Sequence, residues 1–277
     1  MRSALTVGGL CGKLGMSRQN YYKARRERQR MEADSGLIEQ LVRAERAVQP
    51  RLGGRKLYHI LRPELAYAGV KIGRDRFFEV LREKGLLLDR LPGMPKTTNS
   101  RHSLPVFHNL VKDIELVSSN QAWAADITYI RADEGFLYLS LLMDMWSRKI
   151  VGYNSGDTLE AEGAVRALEM ALSELPKGAF PVHHSDRGCQ YCSHLYVEKL
   201  HAHGLAVSMT EEMHCYENAC AERLNGILKQ EYSLGCSFRN KKQALAAVDE
   251  AVLLYNTKRP HLSLNYETPE KMHRKVA

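Results

Sequence analysis

The hydrophobic pattern of this 277-residue chain changes character once, near residue 119. Before residue 90, apolar positions recur at helical spacing. A short apolar stretch from Leu5 to Leu14 meets Gly15, which suits a tight turn. Ser17 then stands as an N-cap ahead of RQNYYKARRERQR. Leu37, Ile38, Leu41 and Val42 follow at the same period, and Gly53-Gly54 interrupts the chain before RKLYHILRPEL. Gly69 and Gly73 flank another break before RDRFFEVLREKGLLL, where Phe77, Phe78, Val80 and Leu81 form an apolar face and Gly85 closes the helix. The pattern predicts two small all-helical modules, 1–30 and 31–90. Residues 91–118 open with LPGMPKTTNSRHSLP, which holds three prolines and no periodicity, and read as a linker.

Beyond 119 the period becomes that of strands. WAADITYI (123–130) is rich in β-branched and aromatic residues, and a turn at 132–135 leads into GFLYLSLLMDMWSR, giving a hairpin. KIVGYNSG makes a third strand, EAEGAVRALEMALSEL (160–175) an amphipathic helix, and AFPVHHSD a fourth strand ending at Asp186. SHLYVEKLHAHG is a helix closed by Gly204, LAVSM a short fifth strand, and a long helix after it carries Glu222. Strands first antiparallel and then alternating with helices indicate an α/β domain with a mixed sheet over 119–235, with 236–277 a C-terminal helix and tail.

Charge adds a partner to this picture. The net charge is +8, but residues 1–115 hold 23 Lys and Arg against 12 Asp and Glu, and the remainder 17 against 20. A basic front half suits a polyanion such as nucleic acid, although a solvated helical surface has the same composition. In a helix-turn-helix the second helix enters the major groove with its first residues at base edges. Arg18, Gln19 and Tyr22 are then the readers, Arg25, Arg26 and Arg28 lie by phosphates, and Arg74 and Arg76 do likewise on the later basic helix.

The six cysteines are scattered, nothing indicates secretion, and the longest apolar run, Phe136 to Met143, is too short to span a bilayer. These features point to a soluble cytoplasmic protein with reduced thiols and no membrane partner. Cys189-x-x-Cys192 with His194, and Cys215 with Cys220, have irregular spacing, so no zinc is expected.

Three carboxylates carry the candidate chemistry. Asp126 lies inside a strand, Asp186 at a strand end and Glu222 on a helix, with 59 and 35 residues between successive members. Inward carboxylates in an apolar sheet are expensive unless paired or bound to cations, and hard oxygen ligands suit magnesium or manganese. Two such ions can activate an attacking oxygen and stabilise a leaving one at a phosphodiester.

The words around these residues give a resemblance. WAADITY (123–129), HSDRGCQY (184–191), ENACAER (217–223) and the tail YNTKRPHLSLNYETPEKM (255–272) occur in order, with the 35-residue gap between Asp186 and Glu222. The chain resembles the OrfB transposases of bacterial insertion sequences of the IS-three family, relatives of retroviral integrases. The resemblance implies a ribonuclease-H-like fold with Asp126, Asp186 and Glu222 as catalytic ligands for two magnesium or manganese ions. It implies cutting of element ends and joining of the 3′-hydroxyl to a new strand. It also implies a homo-oligomer on DNA, bound to terminal inverted repeats and target, and an OrfA partner or fusion; a bacterial nucleoid location goes with that reading. One departure from the family pattern is the acidic run Glu211, Glu212 before Met213 and His214, where many members are basic. Arg187, beside Asp186, and Lys229, on the face of Glu222, are expected to touch DNA phosphates. His183 and His184 are expected in the core, and Asp144 in a structural hydrogen-bond role. The rival reading is a DNA-binding regulator with an inactive integrase-like core; the intact carboxylates argue against it.

Overall fold

The computed structural model describes residues 6–89, 104–211 and 218–276. The prolines Pro92 and Pro95, the run 212–217 and Cys215 therefore lie outside the described residues. The chain forms two compact units, one of residues 1–48 with 52–89, the other of 49–51 with 90–277.

The first unit is helical: α1 (Val7–Lys13), α2 (Arg18–Val48), α3 (Gly54–Tyr67) and α4 (Arg74–Glu83). Gly15, at φ 64°, makes the turn after α1, and the Ser17 hydroxyl accepts from the Asn20 amide at 3.1 Å, capping α2 as expected. The boundary placed between 30 and 31 is not present, because α2 runs unbroken for 31 residues. It holds one glycine, Gly36, at a cost of about 1 kcal/mol, and no proline. Ile38 and Val42, fully buried against Leu57, Leu61, Phe77 and Leu81, supply more than that. The readers and the first core helix thus share one rod.

The second unit is a five-stranded sheet with helices on both faces. The strands are β1 (Ala122–Ala132), β2 (Gly135–Asp144), β3 (Ile150–Gly156), β4 (Val182–Ser185) and β5 (Val207–Met209), in the order β3-β2-β1-β4-β5. β1 pairs antiparallel with β2, and β2 with β3; β4 lies parallel to both β1 and β5. The mixed sheet predicted from sequence is the one observed. On one face, α5 (Ala161–Ser173) and α6 (His194–Ala202) cover Trp123, Ala125 and Leu142. Gly152 is required there: a Cβ on it would meet the Ala167 carbonyl oxygen at 2.1 Å. On the other face, α7 (Ala219–Glu231) and α8 (Lys241–Thr257) cover Ile130, Leu139, Leu141 and Met143. A short α9 (Pro269–His273) follows.

Two segment boundaries differ from expectation. The break set at 235 falls within one core, because Val248, Val252 and Tyr255 of α8 join Leu224 and Leu228 of α7 in a single cluster. The described end of the expected linker, 104–118, is not free chain. The Leu110 amide donates to the Ser208 hydroxyl at 2.9 Å, the Met209 amide reaches the His108 carbonyl at 3.4 Å, and Phe107 packs on the core. An apolar ring and an open strand edge hold it there, which counting prolines does not reveal.

Candidate active site

Sheet register brings the two aspartates level. The last β1–β4 pair is Ala125 with Ser185, so Asp126 and Asp186 are the next residues on adjacent parallel strands. Neighbouring strands lie roughly 4.8 Å apart. Alternation along β1 turns Trp123 and Ala125 to the α5 side and leaves Asp126 on the side of α7. Glu222 stands in the first turn of α7 and is exposed.

Electrostatics tie the three together. The Asp126 carboxyl is pushed up from an ordinary 3.8 to about 7, first by burial, then by Asp186 and, more weakly, by Glu222. Hydrogen bonds from its own Ile127 amide (2.9 Å) and from the Asn225 side chain (2.7 Å) oppose the rise. Two carboxylates thus disfavour the charge on a third, a cost that a divalent cation reverses. The donor set is all hard oxygen, which fits magnesium or manganese. Among the described residues, however, no three His, Cys, Asp or Glu side chains are gathered closely enough to enclose an ion.

Asparagines fix α7 over this point. Asn218, its N-cap, donates to the Ala125 carbonyl at 3.2 Å and accepts the Glu222 amide through its own carbonyl at 3.1 Å. Asn225, one turn after Glu222, holds Asp126 directly. The helix therefore meets β1 on both sides of Glu222, while Leu224, Ile227 and Leu228 anchor it in the core. Lys229 follows on the same face, partly buried; burial lowers its pKa, and the Asp126 charge opposes the change.

The loop after β4 is held from within. The Gly188 amide donates to Asp186 Oδ1 at 2.9 Å, and Gln190 Nε2 to the Leu159 carbonyl at 2.7 Å. Arg187 spends its Nε on the Thr210 carbonyl at 2.7 Å. Tyr191 was not singled out from sequence; nothing but its place five residues beyond Asp186 marked it. It is buried, and burial first, then Tyr196, Asp126 and Asp186, raise its hydroxyl pKa. Asn225 could be placed on the Glu222 face from helical spacing, but its bond to Asp126 could not.

The remaining candidates have definite places. His183 accepts or donates to the Tyr196 hydroxyl at 2.8 Å, and burial drives its pKa down to about 3. His184 pairs with the Ser208 hydroxyl at 2.9 Å, so both histidines are core residues. Asp144, fully buried, accepts from Ser147 through amide (2.7 Å) and hydroxyl (2.6 Å) and from the Asn120 amide (2.7 Å). Burial raises its pKa, but His273, Ser147 and Asn120 outweigh that and hold it below the ordinary value. Cys192 is buried, its thiol pushed up to about 11 by burial, whereas Cys189 and Cys236 are exposed.

In the helical unit, Arg18, Gln19, Tyr22, Arg25 and Arg26 line one shallow groove with Gln29 along the start of α2; Arg28 is not among the lining residues. Arg74 is paired with Asp75 at 2.9 Å, and Arg76 with both Glu79 and Glu83 at 2.9 Å. The charge of Arg74 and Arg76 thus already has acidic partners on the same helix.

A mixed five-stranded sheet of this order, with acidic residues within β1, just after β4 and on a covering helix, is a ribonuclease-H-like core of the integrase type. Residues 117–215 match the family model described as "Integrase core domain", and 203–269 match a second model of that description. The chain is 34% identical to the insertion element IS600 uncharacterized 31 kDa protein of Shigella sonnei, over 97% of this chain and all of that protein. It is 31% identical to transposase InsF for insertion sequence IS3A of Escherichia coli K12, over 99% of this chain and 96% of that one. A chain of the simian T-cell lymphotropic virus intasome, solved with PP2A regulatory subunit B56 gamma, shares the fold: TM-score 0.50, 16% identity, covering 80% of this chain and 75% of that chain. The protein belongs to the IS3-type insertion-sequence transposases.

Proposed function

We propose that this transposase cuts a strand at its element's ends and joins the freed 3′-hydroxyl to a new DNA strand, with Asp126, Asp186 and Glu222 as the ligands of magnesium or manganese, two ions in all. The observation that carries this reading is the juxtaposition of Asp126, within β1, and Asp186, just past the end of β4, each one residue beyond the last β1–β4 pair, with Asp126 pushed to about 7 by burial and by like charge. Protein alone leaves that repulsion uncompensated. A bound divalent cation supplies charge neutralisation at the phosphate and a lowered pKa for an attacking oxygen. The chain's own part is position: Asn225 fixes one oxygen of Asp126, the Gly188 amide fixes one of Asp186, and Asn218 sets the start of the helix that presents Glu222. Lys229 lies beside Asp126 and is suited to a DNA phosphate, and Arg187, next to Asp186 with its Nε on the Thr210 carbonyl, is a second candidate contact.

End recognition belongs to α2. Arg18, Gln19 and Tyr22 face base edges, and Arg25 and Arg26 the phosphates, since they share an exposed groove. Arg74 and Arg76 contribute less, because their acidic neighbours cancel much of their charge. Two ends must be held at once, so the active species is a homo-oligomer on DNA, with an OrfA product as partner or fusion. No described helix is long and apolar enough to cross a membrane. A transposase of this reading works on chromosomal DNA, at the bacterial nucleoid in the cytoplasm.

A ligand swap tests the metal assignment. Asp186→Cys should lose strand transfer in magnesium and regain part of it in manganese, which tolerates sulfur better. Wild-type activity of Asp186→Cys in magnesium overturns the assignment.

A further inference from the structure

The tail word YNTKRPHLSL is absorbed by no step of the chemistry, yet three of its polar side chains, Asn256, Arg259 and His261, are buried. Arg259 is 2% exposed. Its Nε and Nη2 grip the two carboxylate oxygens of Glu231 at 2.8 and 2.7 Å, and its Nη1 meets His261 Nε2 at 2.8 Å. The guanidinium also lies over the Tyr255 ring, 5.8 Å from its centre, and that ring meets His261 edge-on at 5.1 Å. Glu231 is the last residue of α7, the helix that presents Glu222.

The same cluster reaches the other end of that helix. The Tyr255 hydroxyl donates to the Arg148 carbonyl at 3.0 Å, and the Arg148 guanidinium donates to the sulfur of Cys220, the second residue of α7. Asn256, next to Tyr255, pins this part of α8 to the sheet by bonding the Ile150 amide and carbonyl, both at 2.9 Å. One group of side chains therefore holds both ends of a 13-residue helix and is itself fixed to β3.

Stability alone is a weak reason for such a group. A buried ion pair largely forfeits its attraction to desolvation, and apolar packing does as well. A forked guanidinium–carboxylate contact does what apolar packing does not: it fixes direction and rotation. We infer that Tyr255, Arg259 and His261 are positioning residues that set the axial register of α7, and so hold Glu222 against Asp126 and Asp186. This rests on the reading of those three carboxylates as the metal site.

The test uses the full chain with manganese and element-end DNA. Arg259→Gln should still melt cooperatively and bind end DNA as tightly as wild type. Its half-saturating manganese concentration, read from the cation-induced rise in Tm, should increase about tenfold, in line with losing an outer support of a metal site. Strand transfer at saturating DNA should fall by about tenfold or more, with KM for DNA unchanged. Arg259→Lys should recover part of both. Tyr255→Phe, which removes only the hydroxyl, should shift the manganese midpoint in the same direction and serves if Arg259→Gln does not fold. Val165→Ala, in the α5 layer, is the matched control and should lower Tm without moving that midpoint. A folded Arg259→Gln or Tyr255→Phe with a wild-type midpoint and rate overturns the inference while leaving the metal site standing. Absence of any manganese response in wild type refutes the metal site itself, and this inference with it.

Discussion

Asp126→Asn should make the metal-free protein more stable at alkaline pH while abolishing its activity. The folded carboxyl takes up its proton near 7, the unfolded one near 3.8. Between these values the folded state binds more protons, so stability falls as pH rises from about 4 to 7 and stays at its lower level above. At about 1.4 kcal/mol per pH unit, the penalty reaches about 4 kcal/mol, an upper bound because the side chain keeps some solvent access. Asparagine carries no charge and escapes it, but has one oxygen for the two donors, Ile127 and Asn225, which returns about 1 kcal/mol. The net gain is about 3 kcal/mol at pH 8 in chelator. For a unit of this size that is a rise in Tm of roughly 6–12 °C. Thermal melts from pH 4 to 9 in EDTA, wild type against Asp126→Asn, read it directly. Wild type should be the more stable by up to about 1 kcal/mol at pH 4, the curves should cross at about pH 4.5, and the variant's lead should grow towards pH 7. Manganese should then narrow the gap by stabilising wild type alone. Curves that run parallel, or a variant less stable at pH 8, would refute the like-charge account of the site.

Other outcomes follow from particular contacts. Gly152→Ala should cost at least about 3 kcal/mol and lower Tm sharply, because the new methyl would stand 2.1 Å from the Ala167 carbonyl oxygen and backbone must move. Asp144→Asn should destabilise by about 2–3 kcal/mol by weakening its bonds to Ser147 and Asn120, with activity per folded molecule retained. Because the Asp144 carboxyl is held below its ordinary value, its contribution is present at neutral pH and lost on acidification through the folded pKa; acid melts should show a smaller loss for the variant. Arg25→Ala and Arg26→Ala should each weaken end-DNA binding and reduce the salt slope by about one, whereas Arg76→Ala, already paired to Glu79 and Glu83, should change it little.

The carboxylates and their elements were readable because each sits in a word with a local cause: a strand run, a strand end, a helix with a polar face. Ser17 as a cap and Gly15 as a turn were readable for the same reason. What was not readable is long range. Nothing in WAADITYI or VHHS states that they lie parallel and adjacent, so the levelling of Asp126 with Asp186 needed the structure. The pairing of Glu231 with Arg259 joins residues on successive helices, and no spacing rule reaches it. The shift from basic to apolar composition near residue 30 is no boundary. In α2 it marks only the point where an exposed helix begins to bury one side.

The central claim is that Asp126, Asp186 and Glu222 act as one site. The most direct measurement is strand transfer of end DNA by Asp126→Asn, Asp186→Asn and Glu222→Gln, with end-DNA affinity measured on the same preparations. Each variant should bind end DNA as wild type does and form no strand-transfer product in either magnesium or manganese. Wild-type product from any one of the three would contradict the account.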